Sequence, residues 1–253
     1  MAGTALDELF KSYARGQAGV AARTALRVGD YWKGVEVGNE ASERNFVMLA
    51  TAEISSGFLE TAEEARRFTH DQTGDLIERP MPSEERIMTS MAYVGPIEAR
   101  RAMGRWEMEP DRARSHVEKR VRGSAVRHSA MGGREVARSV QSTRVACLRV
   151  TTSENPCAFC VMLASRGPVF KNDSFEESDR RFTGWGPEKV HDSCACGLVP
   201  ITEASTDRVS QWKEYAALWD ELKNVGIKEG ESPLTTFRRN YERRLRAQGR
   251  VAA

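Results

Sequence analysis

No stretch of the 253-residue chain approaches the roughly 20 uninterrupted apolar residues that a membrane span needs, so no membrane partner is expected. Residues Met1 to Phe10 carry Asp7 and Glu8 and lack a basic start followed by an apolar run, so no secretory signal is read there. Cysteine is scarce: there are five, an odd count that cannot pair completely. The expected setting is a reducing cytoplasm, where thiols and metal ligands are favoured over a disulfide scaffold. No internal repeat and no low-complexity tract is visible. No serine stands in a Gly-x-Ser-x-Gly elbow, which removes the commonest serine-nucleophile signal. The helices show no persuasive helix-turn-helix pattern, which argues against a host-type DNA-reading regulator.

The net charge of +2 conceals an asymmetry. Residues 1–99 carry a net charge of −6, residues 100–149 carry +8, and residues 150–253 are balanced. Positive charge returns at the end, where Arg238, Arg239, Arg243, Arg244, Arg246 and Arg250 share their stretch with a single acid, Glu242. Such bands can engage phosphates or an acidic protein surface, and a solvated helix face explains each of them equally well.

Apolar spacing predicts helices over most of the first 143 residues. Leu6, Leu9, Phe10 and Tyr13 start an amphipathic helix, which the glycines and polar residues from Val28 to Asn39 are expected to break. Phe46, Ala50, Ile54 and Phe58 form one row along a second helix that should end before Gly74. Ser83 with Glu84 and Glu85 marks a third start, and Gly95-Pro96 should kink or interrupt that helix. A further helix begins at Asp111, with Val117, Val121 and Ala125 on one face, until Met131-Gly132-Gly133 relaxes the pattern. Val136 and Val140 resume it.

The pattern changes near Ala146. Residues 147–152 alternate and contain β-branched side chains, as a strand requires, and residues 197–201 read as a second short strand. Between them, Pro156 to Pro200 holds too few apolar residues for a large core, so a bound metal ion would supply the missing crosslink. Val209, Trp212, Ala216 and Trp219 then define a helix stopped by Gly226, with the two tryptophans read as core. Ser232-Pro233 caps a last helix with Leu234, Phe237, Tyr241 and Leu245 on one side. The fold class expected is mainly α with a small zinc-stabilised α+β domain. The division is a helical region over 1–143, the zinc-binding domain over 144–202, and a helical extension with a basic end over 203–253.

The most specific feature is a set of five candidate metal ligands, Cys157, Cys160, His191, Cys194 and Cys196. In a Cys-x-x-Cys turn both sulfurs can approach one ion at about 2.3 Å, and a tetrahedral zinc ion takes four such soft donors. One donor is surplus. Cys157, Cys160 and His191 are the firmest three, with either Cys194 or Cys196 completing the shell and the other packing nearby. Coincidental or disulfide-linked thiol pairs and a redox Cys-x-x-Cys are the competing readings. Cys147 reads as a small buried residue. The scattered His70, His116 and His128 read as surface or core histidines.

At these residues the chain resembles a family. Cys157-x-x-Cys160, the run Ala164-Ser165-Arg166-Gly167-Pro168-Val169-Phe170 and His191-x-x-Cys194-x-Cys196 are similar to the carboxy-terminal signature of the phage Mu F-like minor head proteins, in the form found in phages of actinobacteria. The resemblance covers about Arg144 to Ile201. Ala195 departs from it, because many members carry a basic residue there.

The resemblance implies a minor structural protein of the phage head, associated with the portal vertex, head assembly and DNA packaging or ejection. The expected partners are the portal protein or the major capsid interior, and packaged DNA through the arginine bands. The expected location is the virion, after assembly in the host cytoplasm. A phage-encoded enzyme is the alternative: a head maturation protease, or a zinc-dependent hydrolase or nuclease. Five donors suit a closed structural site better than one with an open water position, so no catalytic residue is expected and zinc is assigned a structural role.

Overall fold

A computed structural model of the chain describes residues 2–140, 146–151, 156–168, 196–202 and 209–250, with side chains from residue 8 onward. The fold is mainly helical with two short strands. No helix among the described residues is long and apolar enough to cross a membrane.

Two long helices, α1 (Ala2–Lys33) and α2 (Glu40–Thr73), form an antiparallel pair. Gln17 donates to the Thr61 carbonyl and the Glu64 carboxylate, while Arg23 pairs with Glu60 and Arg27 with Glu53, so numbers fall along one helix as they rise along the other. The break expected between Val28 and Asn39 falls in the second half of that stretch, because α1 continues to Lys33. Val28 and Trp32, one turn apart, are fully buried, and packing of that turn outweighs the weak helix propensity of Gly29. Leu9 also departs from the expected apolar face and stands exposed, whereas Phe10 is buried.

The predicted row of α2 is buried throughout, from Phe46 through Ala50 and Ile54 to Phe58. Asn39 caps the helix start by accepting from the amides of Ala41 and Ser42, and Gly74 ends it with φ 76°. Ser83 likewise caps α3 (Glu84–Ala92). The α-helix is interrupted at Gly95-Pro96, as expected, without a loop. A π-helical turn, Tyr93–Ile97, absorbs the proline and passes directly into α4 (Glu98–Trp106). Gly95 suits this place because the rings of Phe46 and Trp32 come within 3.1 Å of where a Cβ would stand, so a larger residue would push them aside.

Next come α5 (Pro110–Ser129) and α6 (Met131–Val140). Val117, Val121 and Ala125 share a fully buried face with Trp32, Phe46 and Ile54, forming the largest apolar cluster. Each large side chain buried there contributes roughly 1.5–3 kcal/mol. The helical path relaxes at Ala130, one residue before Met131-Gly132-Gly133, and those three residues begin α6. At Gly132 an added Cβ would lie 2.0 Å from the Phe58 carbonyl oxygen, so this glycine lets α6 press against the backbone of α2.

Strands β1 (Ala146–Val150) and β2 (Gly197–Ile201) pair antiparallel, with Leu148 opposite Val199. Their alternation divides them between two covered faces. Ala146, Leu148, Val150, Val199 and Ile201 pack with Phe10, Ala14 and Phe68, which places the strand pair against α1 and α2. On the opposite face Cys147 and Leu198 meet Ala137 of α6.

Then α7 (Ala158–Ala164) is enclosed by α8 (Gln211–Leu222) and α9 (Pro233–Ala247). Phe237, Tyr241 and Leu245 bury Ala158 and Val161, and Trp219 and Leu234 cover Phe159, Met162 and Leu163. Counting apolar residues in 156–200 alone therefore understates the core around the cysteines, because much of it arrives from residues after 209.

Glycine substitutions separate the two kinds of helical glycine. Gly132→Ala is expected to cost about 1–3 kcal/mol through overpacking, whereas Gly104→Ala, where a Cβ meets nothing within 4 Å, should stabilise by up to about 1 kcal/mol. Urea midpoints of the two variants, read against the parent, measure both signs.

Candidate metal centre

Two of the five predicted ligands, His191 and Cys194, lie outside the described residues. The other three are brought together. Cys160 and Cys196 form a small buried cluster with Cys157 against it, although 36 residues separate Cys160 from Cys196 in the chain.

Local structure explains each position. Cys157 is extended, and its sulfur caps α7 by accepting from the Cys160 amide at 3.4 Å. The Cys-x-x-Cys spacing thus becomes a helix-entry turn that puts both side chains at one end of α7. Tyr241 of α9 donates to the Pro156 carbonyl at 2.9 Å, which fixes the approach to that turn. Cys196 arrives from the other direction, one residue before β2. After α7, Gly167 adopts φ 68°, with the Trp212 ring 2.9 Å from where a Cβ would be, so the turn glycine of the resemblance has a steric reason.

The donor set fits zinc chemically, with three soft sulfur donors contributed by two separated stretches. Among the described residues, however, no group of three His, Cys, Asp or Glu side chains converges as a metal-holding set. The zinc assignment therefore concerns a site of which only part is described.

The sequence reading missed two arginines beside these sulfurs. Arg149, only 7 % exposed, donates through Nη1 to Cys196 Sγ at 2.9 Å. Arg134, 3 % exposed, donates through Nη2 to the Cys196 carbonyl at 3.3 Å. The signal was present as an arginine inside a strand otherwise buried on both faces. Cys147 is buried as expected, with its thiol donating to the Ala137 carbonyl.

The terminal arginines require a correction. Glu242 is not their only acid: Arg239 pairs with Glu231, Arg244 with Glu221, and Arg238 and Arg246 with Glu242. The hydrogen bond from Arg239 holds the Glu231 carboxyl at about 2, below the usual range. Much of this band is thus engaged within the chain. In the central band, Arg105, Arg112 and Lys119 are exposed and form no ion pair with a described residue.

With known proteins, the family model described as VG15 protein matches residues 6–222, a span that includes the helical frame, the strands and all three described site cysteines. The chain belongs to the VG15 protein family, and that membership points to a phage protein. Comparison with curated proteins and with solved structures gives no match.

The described histidines lie away from the thiol cluster. His70 is exposed beside Asp71, and His116 meets the Trp106 ring edge-on. His128 is buried, and burial first, then the charges of Arg127 and Arg86, lower its pKa to about 3. Its folded pKa is thus depressed, so below about 6.5 the unfolded chain binds a proton that the folded chain refuses. Stability should fall by up to about 1.4 kcal/mol per pH unit below that point. Urea unfolding at pH 7 and pH 5 checks this: the parent should lose roughly 2 kcal/mol more than His128→Gln.

Proposed function

We propose that this chain is a minor component of the phage head, of the Mu F-like kind, carried in the virion at or near the portal vertex. Its role is structural, in head assembly and in DNA packaging or ejection, and not catalytic. The observation that carries this reading is the meeting of Cys157 and Cys160 with Cys196, two halves of the motif on which the Mu F-like resemblance rests. Membership in a phage family over most of the chain supports it.

In this reading zinc is held by Cys157, Cys160 and His191, with Cys194 or Cys196 completing the shell. When bound, the ion supplies a crosslink between the start of α7 and the start of β2. Cys160 and Cys196 are buried, which suits a closed structural site better than one that admits a substrate. The partners are the portal protein or the inner surface of the major capsid protein. Packaged DNA is a further partner, contacted through exposed cations such as Arg105, Arg112 and Lys119.

Mass spectrometry of purified virions and of heads from a deletion phage tests the role. The protein is expected in few copies per virion, with fewer infectious particles in its absence. Its presence in infected cells together with complete absence from virions and heads contradicts the reading.

A further inference from the structure

We infer that the linker between α2 and α3, residues 75–82, is a docking segment that lies in an apolar groove, bordered by basic side chains, on another protein of the phage head. This partner surface goes beyond the head reading above and rests on it.

The exposed apolar side chains point there. Among the large apolar side chains of the described residues, Leu76 at 88 % and Met81 at 67 % are the two most exposed, and both belong to this one linker. A single exposed leucine needs no explanation. Two such side chains on one short segment held in place do.

The holding is specific. Gly74 turns the chain out of α2, and the Asp75 amide donates to Thr73 Oγ1. Arg66 of α2 donates through Nε to the Ile77 carbonyl at 2.6 Å, while the Ile77 side chain packs against the cluster of Phe58, Ala62 and Met131. Beyond it, Pro80 and Pro82 fix their own φ and keep Arg79 and Met81 out of the helical region. Ile77, Pro80 and Pro82 are partly buried, whereas Leu76, Glu78 and Met81 stand out. The segment is thus displayed as an extended ribbon whose conformation is set before a partner arrives, so docking has little left to order.

The backbone decides the kind of partner. Among the described residues, residues 75–82 make no backbone-to-backbone hydrogen bond. Strand pairing with the same segment of a second copy is poorly served, because Pro80 and Pro82 offer no amide and only Leu76 to Arg79 remain as consecutive donors. A proline-spaced extended segment suits a groove instead, with its side chains entering pockets. From Leu76 to Met81 the span is roughly 16 Å at about 3.2 Å per residue, which sets the separation of the two pockets. Charge sets the rim. Residues 75–85 carry Asp75, Glu78, Glu84 and Glu85 against Arg79 alone, a net charge of −3. That sign repels DNA phosphates and favours basic side chains around the groove.

The test introduces the photoreactive substitution Leu76→p-benzoylphenylalanine in the full-length chain, supplied in trans to a phage lacking the gene. Assembled heads are irradiated, and crosslinked peptides are identified by mass spectrometry. A crosslink to a different head protein is expected, in a stretch of that protein that contains apolar and basic residues. Adding Met81→Ser should lower its yield at least about tenfold with an unchanged urea midpoint, since the side chain removed is exposed. Adding Leu49→Ser, at an exposed position of α2, should leave the yield at the parental level. Incorporation into heads without a crosslink, a crosslink only to a second copy or to DNA, or a yield insensitive to Met81→Ser overturns the docking inference while the head reading stands. Absence of the parent chain from heads overturns both.

Discussion

The structure around the cysteines depends on one juxtaposition: the first turn of α7 lies against the residue that leads into β2. Everything near it serves to hold that meeting. Tyr241 fixes Pro156 from α9, Phe237 and Leu245 bury the inner side of α7, and Arg149 and Arg134 hold Cys196 from β1 and α6. Apolar burial favours the meeting of the two stretches, and under the proposed zinc reading convergent sulfur donors would add to it. The two contributions are independent, since the first is proportional to area and the second requires convergent donors.

The helical frame places that meeting. The strand pair is buried on one face against Phe10, Ala14 and Phe68 and on the other against Ala137, so it cannot shift relative to α1, α2 and α6 without exposing both sets. Close backbone approach is the second constraint on the frame. Gly132 allows α6 to touch the Phe58 carbonyl, and Gly95 leaves space for the rings of Trp32 and Phe46 beside the π-helical turn. The frame thus fixes the strands, and the strands fix Cys196.

Much of this was legible in the sequence, and the failures have physical causes. The i, i+4 row from Phe46 to Phe58, the caps at Ser83 and Ser232, the stop at Gly74 and both strands follow from local chemistry, and the structure has them. The breaks expected between Val28 and Asn39, at Gly95-Pro96 and around Met131-Gly132-Gly133 are present as the turn after Lys33, the π-helical turn Tyr93–Ile97 and the α5–α6 junction at Ala130. Tertiary packing set their places to the residue, because a glycine that weakens an isolated helix also permits a neighbour to approach. The cysteine motif identified three residues that meet, whereas His191 and Cys194 lie outside the described residues. Arg149 was legible only as a lone charge inside an apolar strand, and Arg134 not at all, because their contacts come from the strand register and the position of α6. The partners of the terminal arginines were missed for a related reason: Glu221 and Glu231 precede the segment and face it only once α8 and α9 are folded.

The central claim is that sulfurs from both sides of the long 161–195 interval close around one cation. X-ray absorption at the zinc edge of the purified full-length protein measures this directly. The account predicts about one zinc per chain with a first shell dominated by sulfur at about 2.3 Å. A shell made only of nitrogen and oxygen at about 2.0 Å, or protein purified without zinc that takes none up when it is supplied, would contradict it.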